Sequence, residues 1–215
     1  MYTKKGDYMN YIDKLNDHLH NDYTKKLYTY GIENKYPIME LNGIANLMFI
    51  IKQNNIKRIL EIGTAISYSA HMMASVDCVE HIDTIERDTD TANIAKEFIN
   101  NGPSKDKIHL FVDDALKISN DLLLKEYDMI LFDAAKVQNN NFFDKYAPLL
   151  KVGGIIVTDN ILFHGCVENQ EGLTKNVRNM VKKIDQYNQS LIDLENYDSY
   201  FLPVGDGQAI IVKRG

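Results

Sequence analysis

Carboxylates recur at five corresponding places in this chain, each at the end of a short apolar run or just beyond it. They are Glu61, Glu86, the Asp113-Asp114 pair, Asp133 and Asp159. Two of these places carry further donors. Asp133-Ala134-Ala135-Lys136 follows one run, and Asp159-Asn160 closes the next. If the two runs are neighbouring strands, two carboxylates and one amide oxygen come close together. Such a hard oxygen set suits Mg²⁺ or another divalent cation with water completing the shell. Asp133, Asp159 and Asn160 are therefore the candidate metal ligands. Lys136, three residues beyond Asp133, is the candidate general base, because a lysine beside a cation in a pocket gives up its proton more readily. The alternative is a helix cap at Asp133, a plain turn at Asp159-Asn160 and a surface lysine.

The other carboxylates suggest a nucleotide. Glu61-Ile62-Gly63-Thr64-Ala65 is a small-residue turn after a strand, where a ligand can approach the backbone closely. It lacks the G-x-G-x-x-G spacing of a dinucleotide fold. Glu86 is placed to accept ribose hydroxyls. Asp114-Ala115 falls where a base would lie, or else Asp114 caps a helix starting at Ala115.

These residues need a scaffold that brings strand ends together. The runs at 58 to 62, 81 to 86, 108 to 112, 127 to 133 and 154 to 159 alternate with stretches long enough for crossover helices. That alternation implies an α/β fold with a mostly parallel sheet covered by helices on both faces. Leu191 to Glu195 and Ala209 to Lys213 are two more strand candidates, for seven in all, with a tight loop from Pro203 to Gly207 between them. Asn101-Gly102-Pro103 stops a helix, and Gly153-Gly154 turns the chain into the fifth strand. Spaced apolar residues from Tyr8 to Tyr30 predict one or two amphipathic helices, and Ile44 to Ile51 predicts a buried one. The chain reads as a single domain, 1–215, with an N-terminal helical segment over 1–52.

Composition narrows the class. The 215 residues are 45% hydrophobic and 25% charged, as in an ordinary globular domain. No apolar run is long enough for a membrane span, and the polar start is unlike a signal sequence, so a cytoplasmic location is expected. Cys78 and Cys166 make neither a disulfide framework nor a zinc pattern. The net charge of −6 weighs against a nucleic-acid partner, unless basic residues gather locally. Lys4, Lys5, Lys25, Lys26, Lys175, Arg178, Lys182 and Lys183 are the residues that could form such a rim.

Together the segments EIGTAISYSA, DDAL, DAAK, GGIIVTDN and PVGDGQAIIVK resemble the class I, metal-dependent O-methyltransferases, the family of the catechol and caffeoyl-coenzyme A enzymes. PIME, FDAAK, FFDKYAPLL and TDNILFHGCV look most like the bacterial branch that methylates 5-hydroxyuridine at the tRNA wobble position. The resemblance implies a Rossmann-like fold, S-adenosylmethionine as methyl donor, Mg²⁺ or another divalent cation, and a homodimer. It places Met39, Glu61, Gly63, Ser69, Glu86, Asp114, Ala115 and Asp133 at cofactor-contacting positions. Asp133, Asp159 and Asn160 match the metal ligands, and Lys136 matches the base. The implied acceptor is a 5-hydroxyuridine in a tRNA anticodon loop, or a catechol-like small-molecule diol. The chain departs from the family at Ser67, where glycine is usual, at Val137 and Asn139, at His164, and in a less basic segment from Lys175 to Asn188.

Overall fold

The computed structural model describes residues 5–215, with side chains from residue 11 onward. Lys4, and the side chains of Lys5 and Tyr8, lie outside the described residues. Three helices come first: α1 (Lys5–Asn16), α2 (Asp22–Glu33) and α3 (Leu41–Gln53). α2 opens on a capping box in which Asn21 and Thr24 exchange side-chain and backbone hydrogen bonds. Then follow β1 (Arg58–Ile62), α4 (Tyr68–Ala74), β2 (His81–Glu86), α5 (Thr89–Asn101), β3 (Ile108–Val112), β4 (Tyr127–Phe132), α6 (Asn139–Tyr146), β5 (Leu150–Asp159), α7 (Lys175–Ser190), β6 (Tyr197–Leu202) and β7 (Gln208–Lys213).

The strands form one seven-stranded sheet in the order β3-β2-β1-β4-β5-β7-β6. β1 to β5 are parallel, and β7 runs antiparallel to both β5 and β6. Because side chains alternate across a strand, each strand feeds two cores. Ile59, Met129, Leu131 and Val157 join one core with Leu27, Ile44 and Met72 from α2, α3 and α4. Leu60, Ile130, Phe132 and Ile156 join the other with Phe142, Tyr146 and Tyr187 from α6 and α7. β4 is buried along its whole length, as expected for a central parallel strand.

Three expectations need correction. Leu191 to Glu195 is not a strand: Leu191 is the C-cap of α7 and packs into the second core. The strand starts at Tyr197, after Asn196 turns the chain at φ 65°. Gly153-Gly154 does not precede β5 but lies inside it. The register jumps from Tyr127↔Leu150 to Met129↔Ile155, so these glycines form a bulge, with Gly153 at φ 73°. Finally, the connection from β3 to β4 contains no α-helix, only turns and a short 3₁₀ segment at Asn120–Leu122. Among the described residues no helix is long and apolar enough to cross a membrane.

Candidate functional site

The sheet order changes direction at β1. The chain moves outward through β2 and β3, then returns to β4 and β5 on the other side. Open parallel sheets bind ligands beyond the strand ends at such a reversal. A cavity of about 590 Å³ opens there.

The β1 turn sits against the β4 tip. Asp133 N donates to Ile62 O at 2.9 Å, and Gly63 N donates to Ile85 O at 3.0 Å. Gly63 has φ 103°, and a Cβ there would stand 2.4 Å from the Asp133 carbonyl oxygen. Only glycine allows this close approach. Ser67, at the start of α4, is also left-handed, at φ 69° and fully buried. Where the family pattern has glycine, this chain therefore holds a serine in a glycine-like conformation.

Of the residues singled out in the sequence, Met39, Gly63, Glu86, Asp114, Ala115, Asp133, Lys136, Asp159 and Asn160 all line the one cavity. Glu86 is held by two backbone donors, Ala65 N at 3.0 Å and Asp88 N at 2.9 Å. Asp114 does not cap an α-helix; its carboxylate accepts from Leu116 N in a turn. Ala115, Leu116 and Phe142 wall that end, giving an apolar slot beside the two acidic strand ends.

Ser69 lines only a smaller recess beside the cavity, and Glu61 lines neither. Glu61 is fully buried beneath the turn, accepting from Ser69 Oγ and Thr84 Oγ1. Burial pushes its carboxyl up to about 8. Its place is that of a positioning residue below the β1 turn, away from the cavity wall.

At the β4 and β5 tips, Lys136 Nζ lies 2.7 Å from Asp133 Oδ1, with both side chains about one-sixth exposed. Asp159 is 3% exposed. Burial, followed by repulsion from Asp133, raises its carboxyl to about 7. Asn160 follows at φ 60°. Phe163 and His164, also in the cavity wall, have φ 47° and 55°. Left-handed backbone at non-glycine residues is uncommon, and its clustering here fits a functional site.

Among the described residues no group of three His, Cys, Asp or Glu side chains is arranged to hold a metal ion. A cation here would therefore need the Asn160 oxygen as its third protein donor. The donor set fits a hard divalent ion: two carboxylates and one amide, all in the wall of one cavity.

Several residues of the site carry no local signal in the sequence, among them Gln208, which is fully buried behind the cavity wall. Gln208 donates from Nε2 to Asp159 Oδ1 at 3.2 Å and to Gly43 O at 3.4 Å, while Asn46 donates to its Oε1 at 2.8 Å. It thus fixes Asp159 relative to α3. Glu40, Gln138, Phe163 and Asp206 also line the cavity. The PVGDGQ segment was visible as a loop, but nothing local in it shows that Asp206 and Gln208 turn back toward Asp159.

The expected basic rim is divided. Lys25 and Lys26 lie on α2, across the sheet from α7, and Lys25 is paired with Asp17. Lys175, Arg178, Lys182 and Lys183 are exposed on α7, and among the described residues none of them forms an ion pair. Tyr187 meets Thr158 near the end of β5, and Asn188 meets Ile161. From there the chain descends to β6, which starts level with the beginning of the β5 core segment. The four cations lie on the exposed face of α7, none of whose residues lines the cavity.

Residues 13–214 match the family model described as O-methyltransferase. A caffeoyl-CoA O-methyltransferase from Stellaria longipes is 30% identical over 168 residues, covering 75% of this chain and 70% of that protein. A Staphylococcus aureus structure, described as a candidate caffeoyl-CoA O-methyltransferase, is 37% identical with a TM-score of 0.90, covering 96% of this chain and 99% of that one. The SAH-bound Podospora anserina methyltransferase PaMTH1 has the same fold at 21% identity, with a TM-score of 0.85 over 100% of this chain and 99% of its own.

Proposed function

The chain belongs to the O-methyltransferase family and is an S-adenosylmethionine-dependent O-methyltransferase, and on that premise we propose that its acceptor is the 5-hydroxyl of a 5-hydroxyuridine in a tRNA anticodon loop. The observation that carries the chemistry is the convergence of Asp133, Lys136, Asp159 and Asn160 in one cavity with the acidic nucleotide end. The exposed cations along α7, without an ion pair among the described residues, support a nucleic-acid acceptor. So does the likeness of PIME, FDAAK, FFDKYAPLL and TDNILFHGCV to the tRNA-methylating branch.

Glu86 receives the ribose hydroxyls of the donor, and the Asp114-Ala115 turn with Phe142 takes its adenine. Met39 and Asp133 flank the methyl. Asp133, Asp159 and Asn160 would hold Mg²⁺ or a similar ion, which when bound lowers the pKa of a coordinated hydroxyl. A 5-hydroxyuridine offers its 5-hydroxyl and its adjacent 4-carbonyl oxygen as a chelating pair. Lys136 Nζ accepts the hydroxyl proton, and Asp133, already 2.7 Å away, stabilises the ammonium that results. The acceptor oxygen then bonds to the methyl carbon as the carbon–sulfur bond breaks, leaving a methyl ether and S-adenosylhomocysteine. Gln208 keeps Asp159 in place throughout. The anticodon base must be splayed from its loop to enter.

A small catechol-like diol is the second reading. Glu40, Glu86, Asp113, Asp114 and Asp206 line the cavity against Arg87 and Lys136, an acidic mouth that favours a free small molecule over RNA. The caffeoyl-CoA relatives agree with it. The free cysteines Cys78 and Cys166 accord with a cytoplasmic enzyme. Exposed Tyr11, Ile12 and Leu15 on α1 and Phe49 on α3 support the expected homodimer.

The deciding experiment sets hydroxyuridine-containing tRNA beside a catechol, each with and without chelator. The expected result is transfer to the tRNA that chelator abolishes. Transfer to the catechol alone overturns the tRNA reading.

A further inference from the structure

The acceptor end of the cavity holds a carboxylate that the chemistry above does not use. Asp206 has a side chain only 7% exposed, yet it lines the cavity. Its Oδ1 accepts from His164 N at 2.6 Å. Its Oδ2 is buried with no hydrogen-bond partner among the described residues. The His164 ring nitrogen is 3.5 Å from Oδ2, on a side chain that is 76% exposed. A buried carboxylate oxygen without a donor costs on the order of 1–3 kcal/mol, more when charged, unless a ligand supplies one.

Among the described residues the nearest side-chain nitrogen to Oδ2 is that of the mostly exposed His164 ring, beyond good hydrogen-bond length, and the neighbouring carboxylates repel further acceptors. Glu40 lines the same cavity, and burial, then Asp206 and Asp13, push its carboxyl up. This end therefore favours an N–H group and disfavours a carbonyl oxygen or an anion.

Asp206 is also held rigidly relative to the proposed metal donors. Leu162 N donates to Asp206 O at 3.0 Å, and Ile161 N donates to Gly207 O at 3.1 Å. These two bonds clip the Asp206-Gly207 turn to the segment directly after Asn160. Two residues on, Gln208 reaches Asp159.

We propose that Asp206 Oδ2, with Glu40 beside it, accepts a hydrogen bond from the imide N–H of the acceptor ring. The inference rests on the 5-hydroxyuridine reading. With the 5-hydroxyl and 4-carbonyl oxygens at the Asp133, Asp159 and Asn160 donors, N3–H is the next group round the ring after the carbonyl. A catechol has no donor at that place. A site built to bond such a group rejects an analogue lacking it more strongly than an apolar pocket would, because its own buried oxygen is left unpaired.

The test compares an anticodon stem-loop RNA carrying 5-hydroxyuridine with one carrying its N3-methyl derivative, alongside free catechol. The wild-type enzyme is expected to lose about 10²-fold in kcat/KM on N3 methylation. Asp206→Asn keeps an oxygen for His164 N but turns the free position into a donor. It is expected to lower kcat/KM for hydroxyuridine RNA by a similar factor, mainly through KM, and to erase the preference over the N3-methyl substrate. Equal use of both RNAs by the wild-type enzyme overturns this inference while leaving the hydroxyuridine reading intact, and that measurement needs no variant. Turnover of catechol with neither RNA overturns both.

Discussion

Lys136 Nζ stands 2.7 Å from Asp133 Oδ1, although one residue is placed by the end of β4 and the other by the 3₁₀ turn that follows. The same carboxylate that would hold a cation is thus positioned to receive the charge formed when the lysine takes a proton.

Lys136→Met should reduce kcat by about 10²- to 10⁴-fold while leaving S-adenosylmethionine affinity within about twofold. Lys136→Arg separates the two roles. The guanidinium keeps the ion pair but does not release its proton near neutral pH. It should be as inactive as the methionine variant. Near-normal turnover by the arginine enzyme would mean that position 136 only balances charge.

Asp159 and its Gln208 contact give the metal proposal a structural test. Asp159→Asn keeps an oxygen for Gln208 Nε2 and removes the negative charge. Added Mg²⁺ or Mn²⁺ should raise the melting temperature of the wild-type protein by RT ln(1 + [M]/Kd) expressed through its unfolding entropy. In the variant that rise should vanish, with turnover down at least about 10²-fold. Full wild-type activity in excess chelator would remove the metal from the mechanism.

Much of this site was legible because its residues sit at chain punctuation. β1, β2 and β3 run as expected over 58–62, 81–86 and 108–112, since each is an apolar run bounded by polar turns. Asp133, Asp159 and Asn160 follow directly from β4 and β5 as neighbours in a parallel sheet. β6 is hard to place from sequence because it is an edge strand whose apolar residues, Tyr200, Phe201 and Leu202, are exposed rather than alternating into a core, whereas Leu191 looks strand-like but closes a helix. Asp206 and Gln208 were missed for a different reason. Their roles depend on contacts across the sheet with residues more than forty positions away, and no local pattern encodes those contacts. Glu61 was seen, but its burial under the turn could not be read from a carboxylate at a strand end.

That burial makes Glu61 a source of pH dependence. In the folded protein its carboxyl is raised to about 8, mainly by desolvation. In the unfolded chain a glutamate titrates near about 4.3. The folded state thus binds the extra proton, and the stabilising contribution is full below about pH 4.3 and declines as pH rises through about 8. Glu61→Gln keeps the shape without the titration. The stability difference, wild type minus variant, measured by urea unfolding at pH 5, 7 and 9, should fall steadily with pH. A difference independent of pH would show that Glu61 does not change its charge on folding.

Gly63 and Ser67 bracket the turn after β1 and should respond to substitution with opposite signs. Both have positive φ, at 103° and 69°. Gly63→Ala would drive a Cβ to 2.4 Å from the Asp133 carbonyl, between two backbones that cannot yield. A loss of about 3 kcal/mol is expected from overpacking and strain together. Ser67→Gly instead removes a side chain from left-handed backbone, a conformation that costs an L-residue about 1–2 kcal/mol. The variant gives up the Ser67 Oγ bond to Ile66 O and gains unfolded-state freedom, so the net gain should not exceed about 1 kcal/mol. Thermal melts in the absence of ligand should show Gly63→Ala well below the wild type and Ser67→Gly level with it or up to about 4 °C above. If Ser67→Gly instead melts several degrees lower, the serine side chain holds the turn together, and its departure from glycine stabilises the fold rather than straining it.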